Sequence, residues 1–275
     1  DIVQSRWKKF RTSKTINGEE KFVINLSEEI LDVISMEEND NLLAETVKVR
    51  QELTEKLGYV IPHIHFHNSD ELMQNEFNIK IHDIEVFRSV VFPDFVAFYK
   101  EELKGYKLTE DDYQVVDEIT GKKMVWIQKD KVKDFWIKGM SPAEYIGEAI
   151  KYIAVREVSD IMDYNDINKY VEKVIETNSF LVDNIIPDFI TASDLKYLLT
   201  CLIRERVSVK NIVYIFEKKY NKKCKTKYNL HEKQGFFHSN LLSEGSLFLC
   251  DGSVKKREVR STEFYQKKQM KMDLL

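Results

Sequence analysis

Apolar residues recur along this chain at two spacings, and the switches between them mark its elements. Leu195, Leu198, Leu199, Leu202 and Ile203 fall at helical spacing and predict one buried stripe. Arg204, Glu205 and Arg206 interrupt it, and Val209, Ile212, Ile215 and Phe216 resume it. Ser208 is placed to cap the second run, so the stretch predicts a helical hairpin. Upstream, Leu43, Val47, Arg50, Leu53 and Leu57 recur about one turn apart and run into Gly58, an amphipathic helix with a glycine stop. Ser141 as cap and Pro142 in the first turn open a helix with Tyr145, Ile146, Ala149, Ile150 and Ile153 on one face. Ile167, Tyr170, Val171, Val174 and Ile175 give a further stripe within Asp166–Ile175, and Pro187 ends a connection. Alternation of period two predicts strands at Phe22–Leu26, Tyr59–His67 and Met124–Ile127, with a strand or hairpin over Phe77–Val91. The stretch from Phe92 to Gly139 differs in texture. Pro93, the acidic loop Glu110–Asp112 and the turn Ile119-Thr-Gly-Lys122 suggest a small β-rich insert.

The hairpin from Cys201 to Ile212, CLIRERVSVKNI, closely resembles the LLRERVSIRD signature of the FHIPEP family. These are the export-gate proteins of flagellar and virulence type III secretion. Val49–Pro62 is similar to the family's VRxQLAxELGFVIP, Asn75–Ile84 to NxYRIxxKGV, Pro93-Asp94 to its PD step, and Asp117–Ile127 to DPxxGxxAxWI. The matches run in order over about Phe22 to Tyr220. Two departures stand out: the family's GYTVVDP segment is shortened to Gly139-Met-Ser-Pro142, and nothing from Asn221 onward matches. The resemblance implies an α+β protein of several small subdomains. A linker at 1–21 would precede a mixed α/β first subdomain at 22–93 plus 140–161. A β-rich second subdomain would be inserted at 94–139, and a helical third would span 162–220. Residues 221–275 would form a basic tail rather than a complete fourth subdomain.

Composition changes this picture in two respects. With 275 residues, 43% apolar and 12% aromatic, the chain has the makings of folded domains. Its net charge of −4 is unevenly spread. From Lys219 to Leu275 there are thirteen Lys/Arg against six Asp/Glu, which leaves −11 for the rest. An acidic body disfavours nucleic acid as partner. Cys201, Cys224 and Cys250 are odd in number and far apart, which predicts reduced thiols. No run reaches the ~18–20 apolar residues that cross a bilayer. The family resemblance implies that the transmembrane helices lie upstream, with this segment at the cytoplasmic face of the bacterial inner membrane.

Candidate chemistry is sparse. No phosphate loop, nucleophile–base pattern or zinc-protease motif occurs, so neither an enzyme nor a cofactor is expected. His63, His65 and His67 would share one strand face, about 7 Å between successive side chains, too wide for three to chelate one ion, so no metal site is expected. The resemblance implies a docking site for export chaperones and secreted substrates. Its positions fall on Asp117, Thr120 and Gly121 in the turn and on Glu148 in the following helix. Only the acid of the family's acid–aromatic pair is kept. Trp126 matches the motif tryptophan and is expected in the core. The resemblance also implies a homo-oligomeric, nonameric ring with Arg204, Glu205 and Arg206 at its interface. Further implied partners are an export ATPase complex and membrane gate subunits. The alternative is an acidic adaptor whose winged-helix-like module presents Lys210 and Asn211 to DNA.

Overall fold

The computed structural model describes residues 20–31, 41–133, 135–186 and 188–228, with side chains as far as 221. Chain contacts separate residues 1–221 from 222–275. The linker anchors Trp7 and Phe10, the residue Pro187 and nearly all of the expected tail lie outside the described residues.

Two small antiparallel-rich sheets and a set of helices give the mixed α/β architecture expected. In the first sheet β1 (Phe22–Leu26) lies between β2 (His65–Asn68), parallel to it, and β3 (Glu76–Ile81), antiparallel; β4 (Ile84–Val90) completes the order β2-β1-β3-β4. The parallel pair requires a crossover, which contains α1 (Leu42–Leu57). β1 does not alternate between core and solvent as its sequence suggests: all five residues are buried. Its polar member, Asn25, is accommodated because its amide donates to Asn78 Oδ1 at 2.8 Å, and Asn78 donates to Glu85 at 2.6 Å. The hairpin expected over Phe77–Val91 forms, turning through His82 and Asp83 with both φ angles positive. That is the two-residue geometry matching strand twist.

α1 begins and ends where expected, but its buried stripe is Leu42, Thr46, Val49, Leu53 and Leu57. Val47 faces solvent. Thr46 can occupy the core because its hydroxyl donates to Leu42 O at 2.7 Å, which a stripe drawn from apolar letters misses. α2 (Pro142–Arg156) buries all five expected residues and packs on α1. Ser141 caps it in a reciprocal box with Glu144. A short α3 (Val158–Ile161) leads to α4 (Tyr164–Ile185), which is interrupted at Asn178 and leaves Ile175 exposed. Asp163 caps α4, and Lys21 pairs with it across the fold.

Burial acts to raise the pKa of Asp163, but Lys21 and the amides opening the helix outweigh it and hold the carboxyl at about 2. A depressed carboxylate stabilises the fold fully above its ordinary value of 3.8, and loses that contribution as pH falls toward 2. Asp163→Asn is therefore expected to flatten the fall in stability between about pH 4 and 2, read by urea unfolding across that range. An unchanged slope would show that the pair contributes nothing.

The signature hairpin is α5 (Ala192–Arg204) and α6 (Ile212–Tyr228), with α6 running past the expected end at 220. Leu195, Leu199, Leu202 and Ile203 are buried, as the stripe predicts. Ser208 is not the cap of α6. Asn211 is: Tyr214 N donates to its Oδ1 at 3.1 Å, and Val209 N is already committed to Leu57 O at 2.8 Å. α5 ends with Arg206 left-handed at φ 57, while Val207 N reaches Leu202 O and Arg206 N reaches Ile203 O. That paired closure favours glycine at the left-handed position. Arg206→Gly is expected to raise stability by about 1 kcal/mol in denaturant titration. A loss would mean that the arginine side chain holds the turn.

The loop of the hairpin closes the end of α1. Gly58, at φ 72, ends α1, and the carbonyls there are taken from outside the helix. Lys210 Nζ donates to Glu55 O at 2.8 Å, Val209 N to Leu57 O at 2.8 Å, and the Tyr170 hydroxyl to Gly58 O at 2.7 Å. A Cβ on Gly58 would lie 2.8 Å from Lys210 N.

The second sheet comprises β5 (Phe95–Tyr99), β6 (Tyr113–Val116) and β7 (Lys123–Gln128), in the order β5-β7-β6, all antiparallel. Its own small core is Phe98, Val125 and Ile127, with Tyr106, Val132 and Phe135 against them. Met140 pairs with Ala97 through two backbone hydrogen bonds, bringing the two ends of this excursion together.

Candidate functional site

The turn joining β6 to β7 is organised by Asp117. Its backbone N donates to Lys122 O at 2.8 Å and its own carbonyl accepts from Gly121 N at 2.7 Å. Gly121 stands at φ 71 with open space where a Cβ would point, so the turn geometry rather than crowding calls for glycine. The Asp117 carboxylate is fully buried. Oδ1 accepts from Ile119 N at 3.0 Å and from the Tyr145 hydroxyl at 3.0 Å. Oδ2 accepts from Thr120 N and the Tyr99 hydroxyl, each at 3.1 Å, and from the Thr120 hydroxyl. Such a set of donors is what a buried carboxylate needs. Asp117 therefore shapes the turn from inside, while Thr120 and Gly121 are exposed on it.

Tyr145 joins this turn to the first sheet. Its ring meets Phe77 at 6.3 Å and Trp126 at 5.9 Å, both edge-on, so it touches both sheets. Its hydroxyl also lies 3.1 Å from Ser89 Oγ on β4. Burial pushes the Tyr145 pKa up; the Ser89 hydrogen bond partly opposes this, and the Asp117 charge adds to it. Sequence reasoning placed Tyr145 only on a helix face and did not name Tyr99 or Ser89. The partner residues are 18, 28 and 56 positions apart, and no local pattern connects them.

Glu148 sits exposed on α2, one turn beyond Tyr145, paired with Lys151 at 3.3 Å; Lys151 also holds Glu52 at 3.0 Å. Trp126 is fully buried, with no acceptor for its indole N–H among the described residues. Arg204, Glu205 and Arg206 lie together at the end of α5, and Arg204 donates to Ser159 Oγ at 3.0 Å.

The histidine row differs from expectation. The strand is only His65–Asn68, so His63 is in the preceding loop. His65 and His67 instead both face the carboxylate of Glu20. Among the described residues no group of three His, Cys, Asp or Glu side chains is arranged to hold a metal ion. The DNA-reading alternative also lacks its side chains: Lys210 binds the end of α1 and Asn211 caps α6. Among the described residues no helix is long and apolar enough to cross a membrane.

The FHIPEP family profile matches residues 4–233. Among curated relatives, the flagellar biosynthesis protein FlhA of Bacillus subtilis is 25% identical over 184 residues, covering 64% of this chain and 26% of that protein. The chain thus spans about a quarter of the length of that relative. The fold is similar to Chlamydia pneumoniae CdsV in its complex with CdsO, with TM-score 0.62, 18% identity, and coverage of 80% of this chain and 68% of that one. It is also similar to the nonameric EPEC SctV-C, with TM-score 0.53, 14% identity, and coverage of 80% and 63%.

Proposed function

Because the chain belongs to the FHIPEP family, we propose that it is the cytosolic docking part of a type III or flagellar export gate. It receives chaperone-bound substrates and passes them to a membrane channel. The observation that carries this reading is the family match over residues 4–233. The family consists of transport components, not known enzymes. Likeness to a nonameric relative supports a nine-membered ring, with Arg204, Glu205 and Arg206 at subunit contacts. Likeness to CdsV, solved with CdsO, supports a further protein partner, in keeping with the export ATPase complex that the resemblance implies. The subdomain division follows the same reading: 22–93 with 140–161 carries the four-stranded sheet, 94–139 the three-stranded one, and 162–220 the helices.

At the docking site Thr120, Gly121 and Glu148 offer the exposed contacts, and Asp117 acts by holding the turn they need. The threonine where relatives carry an aromatic removes one anchor of the kind that dominates interface energy. The test is titration of chaperone–substrate complexes from the same genome onto the chain. Thr120→Arg and Glu148→Arg are expected to weaken binding at least tenfold while the chain stays folded, the midpoint falling only by the lost bond to Asp117 in the first and the lost pair with Lys151 in the second. Equal binding by both variants would overturn the site. The ring is tested by tethering the chain to a supported bilayer, where raised effective concentration favours assembly. Nine-membered particles are expected, and a monomer at every density would refute the ring.

A further inference from the structure

The two outer strands of the three-stranded sheet are treated differently. β5 is closed by Met140, whose N–H and C=O both bond Ala97 at 2.9 and 2.8 Å. β6 has no such cover: among the described residues, its backbone bonds only to β7. The Asp117 N–H to Lys122 O bond sets the alternation of the ladder. Tyr113 and Val115 therefore turn their backbone groups toward β7, while Gln114 and Val116 turn theirs outward. Exposed edges are normally blunted by lysine, proline, bulges or a covering segment. The sequence of β6, Tyr-Gln-Val-Val, has neither charge nor proline, its register with β7 is unbroken, and Tyr113 and Val116 are 47% and 55% exposed. Tyr113 is held flat against Phe92, with centroids 4.1 Å apart and planes within 1°, so the edge is braced by an aromatic stack. The four-stranded sheet contrasts with it: on outer strand β4, Arg156 occupies Val86 O and Arg88 supplies charge.

We propose that β6 is a strand-addition site for an extended polypeptide segment with a β-prone, apolar centre and Lys or Arg at its ends. Main-chain hydrogen bonds to Gln114 and Val116 would supply the pairing, and alternate side chains would pack on Tyr113 or Val116. The charges favour a basic-ended peptide. Glu110 and Glu118 are exposed before and after the strand, and neither forms an ion pair among the described residues. A second copy of the chain fits poorly for the same reason. Antiparallel pairing of β6 with itself about Gln114 sets Tyr113 opposite Val115 and Glu110 of one copy opposite Glu118 of the other, and like charges so placed repel. β6 is separate from the Thr120–Gly121 turn and is read through its backbone rather than its side chains.

The probe is a fluorescein-labelled peptide of alternating valine and threonine with two lysines at each end, followed by anisotropy. Saturable binding is expected, weakened by salt, with slowed amide exchange at Gln114 and Val116. Gln114→Pro removes an outward N–H and leaves the β7 ladder intact, so it should weaken binding at least tenfold. Val116→Lys should do likewise by repelling the flanking lysines, and Glu110→Gln with Glu118→Gln should weaken binding two- to threefold. Absence of binding, or full binding by folded Gln114→Pro, would overturn the proposal. So would self-association of the unmodified chain that Gln114→Pro abolishes, since the occupant would then be a second copy. Chaperone titration with Thr120→Arg reads the other site separately, so either reading can fail alone.

Discussion

Asp117→Ala is expected to destabilise the protein by about 3–5 kcal/mol, because several hydrogen bonds to one charged acceptor are lost together, each worth about 1.5–3 kcal/mol before water replaces any. The carboxylate accepts from Ile119 N, Thr120 N, and the hydroxyls of Thr120, Tyr99 and Tyr145. Water can replace it at exposed Thr120, but not readily at Tyr145, which is 2% exposed. The Tyr145 hydroxyl then keeps only Ser89 Oγ, 3.1 Å away, as an acceptor. Asp117→Asn keeps the shape but points an amide at donors, and should cost about 2 kcal/mol. Tyr145→Phe should cost about 1–2 kcal/mol, since it deletes only the hydroxyl that meets Asp117 and Ser89. In a double-mutant cycle the two changes should couple by roughly 0.5–3 kcal/mol. Urea unfolding measures all of these, and an Asp117→Ala cost below ~1 kcal/mol would mean that the turn stands without its acid.

Gly58→Ala is expected to cost about 2–5 kcal/mol, from two independent terms. A left-handed residue with a Cβ loses about 1–2 kcal/mol at φ 72. Overpacking adds roughly 1–3 kcal/mol, because the new Cβ would meet Lys210 Cγ, N and Cα at 2.7, 2.8 and 2.9 Å. Two of these atoms are backbone and cannot swing aside, so shortening the Lys210 side chain would not relieve the contact. Gly58→Asn separates the terms: asparagine tolerates the left-handed region but still carries a Cβ. If Gly58→Asn unfolds nearly as easily as Gly58→Ala, crowding dominates; if it is close to wild type, backbone conformation does.

Elements whose signals are local were readable in the sequence. Ser141 and Pro142 opened their helix, Gly58 closed one, and the Leu195–Ile203 stripe is buried apart from the half-buried Leu198. Errors came where a polar side chain satisfies itself or is satisfied from a distance. Thr46 turns its hydroxyl onto its own helix and takes a core position, and Asn25 is buried because Asn78, 53 residues later, bonds it. Ser208 looked like a cap, yet docking of Val209 against α1 moves the start of α6 to Asn211 as cap. Only resemblance singles out the turn at Asp117, Thr120 and Gly121. That its acid points inward depends on Tyr99 and Tyr145, which only the assembled fold brings together.

The pairing of Ala97 with Met140 makes the excursion between them a closed circuit in the chain's path. Covalent continuity at its far side is therefore not what keeps it in place. Lys104 and Lys107 flank Gly105, and all three are exposed there. A tryptic nick at either lysine leaves β5 laddered to β7, and β7 still continuous with α2. The cut protein should elute as a single particle and separate only in denaturant.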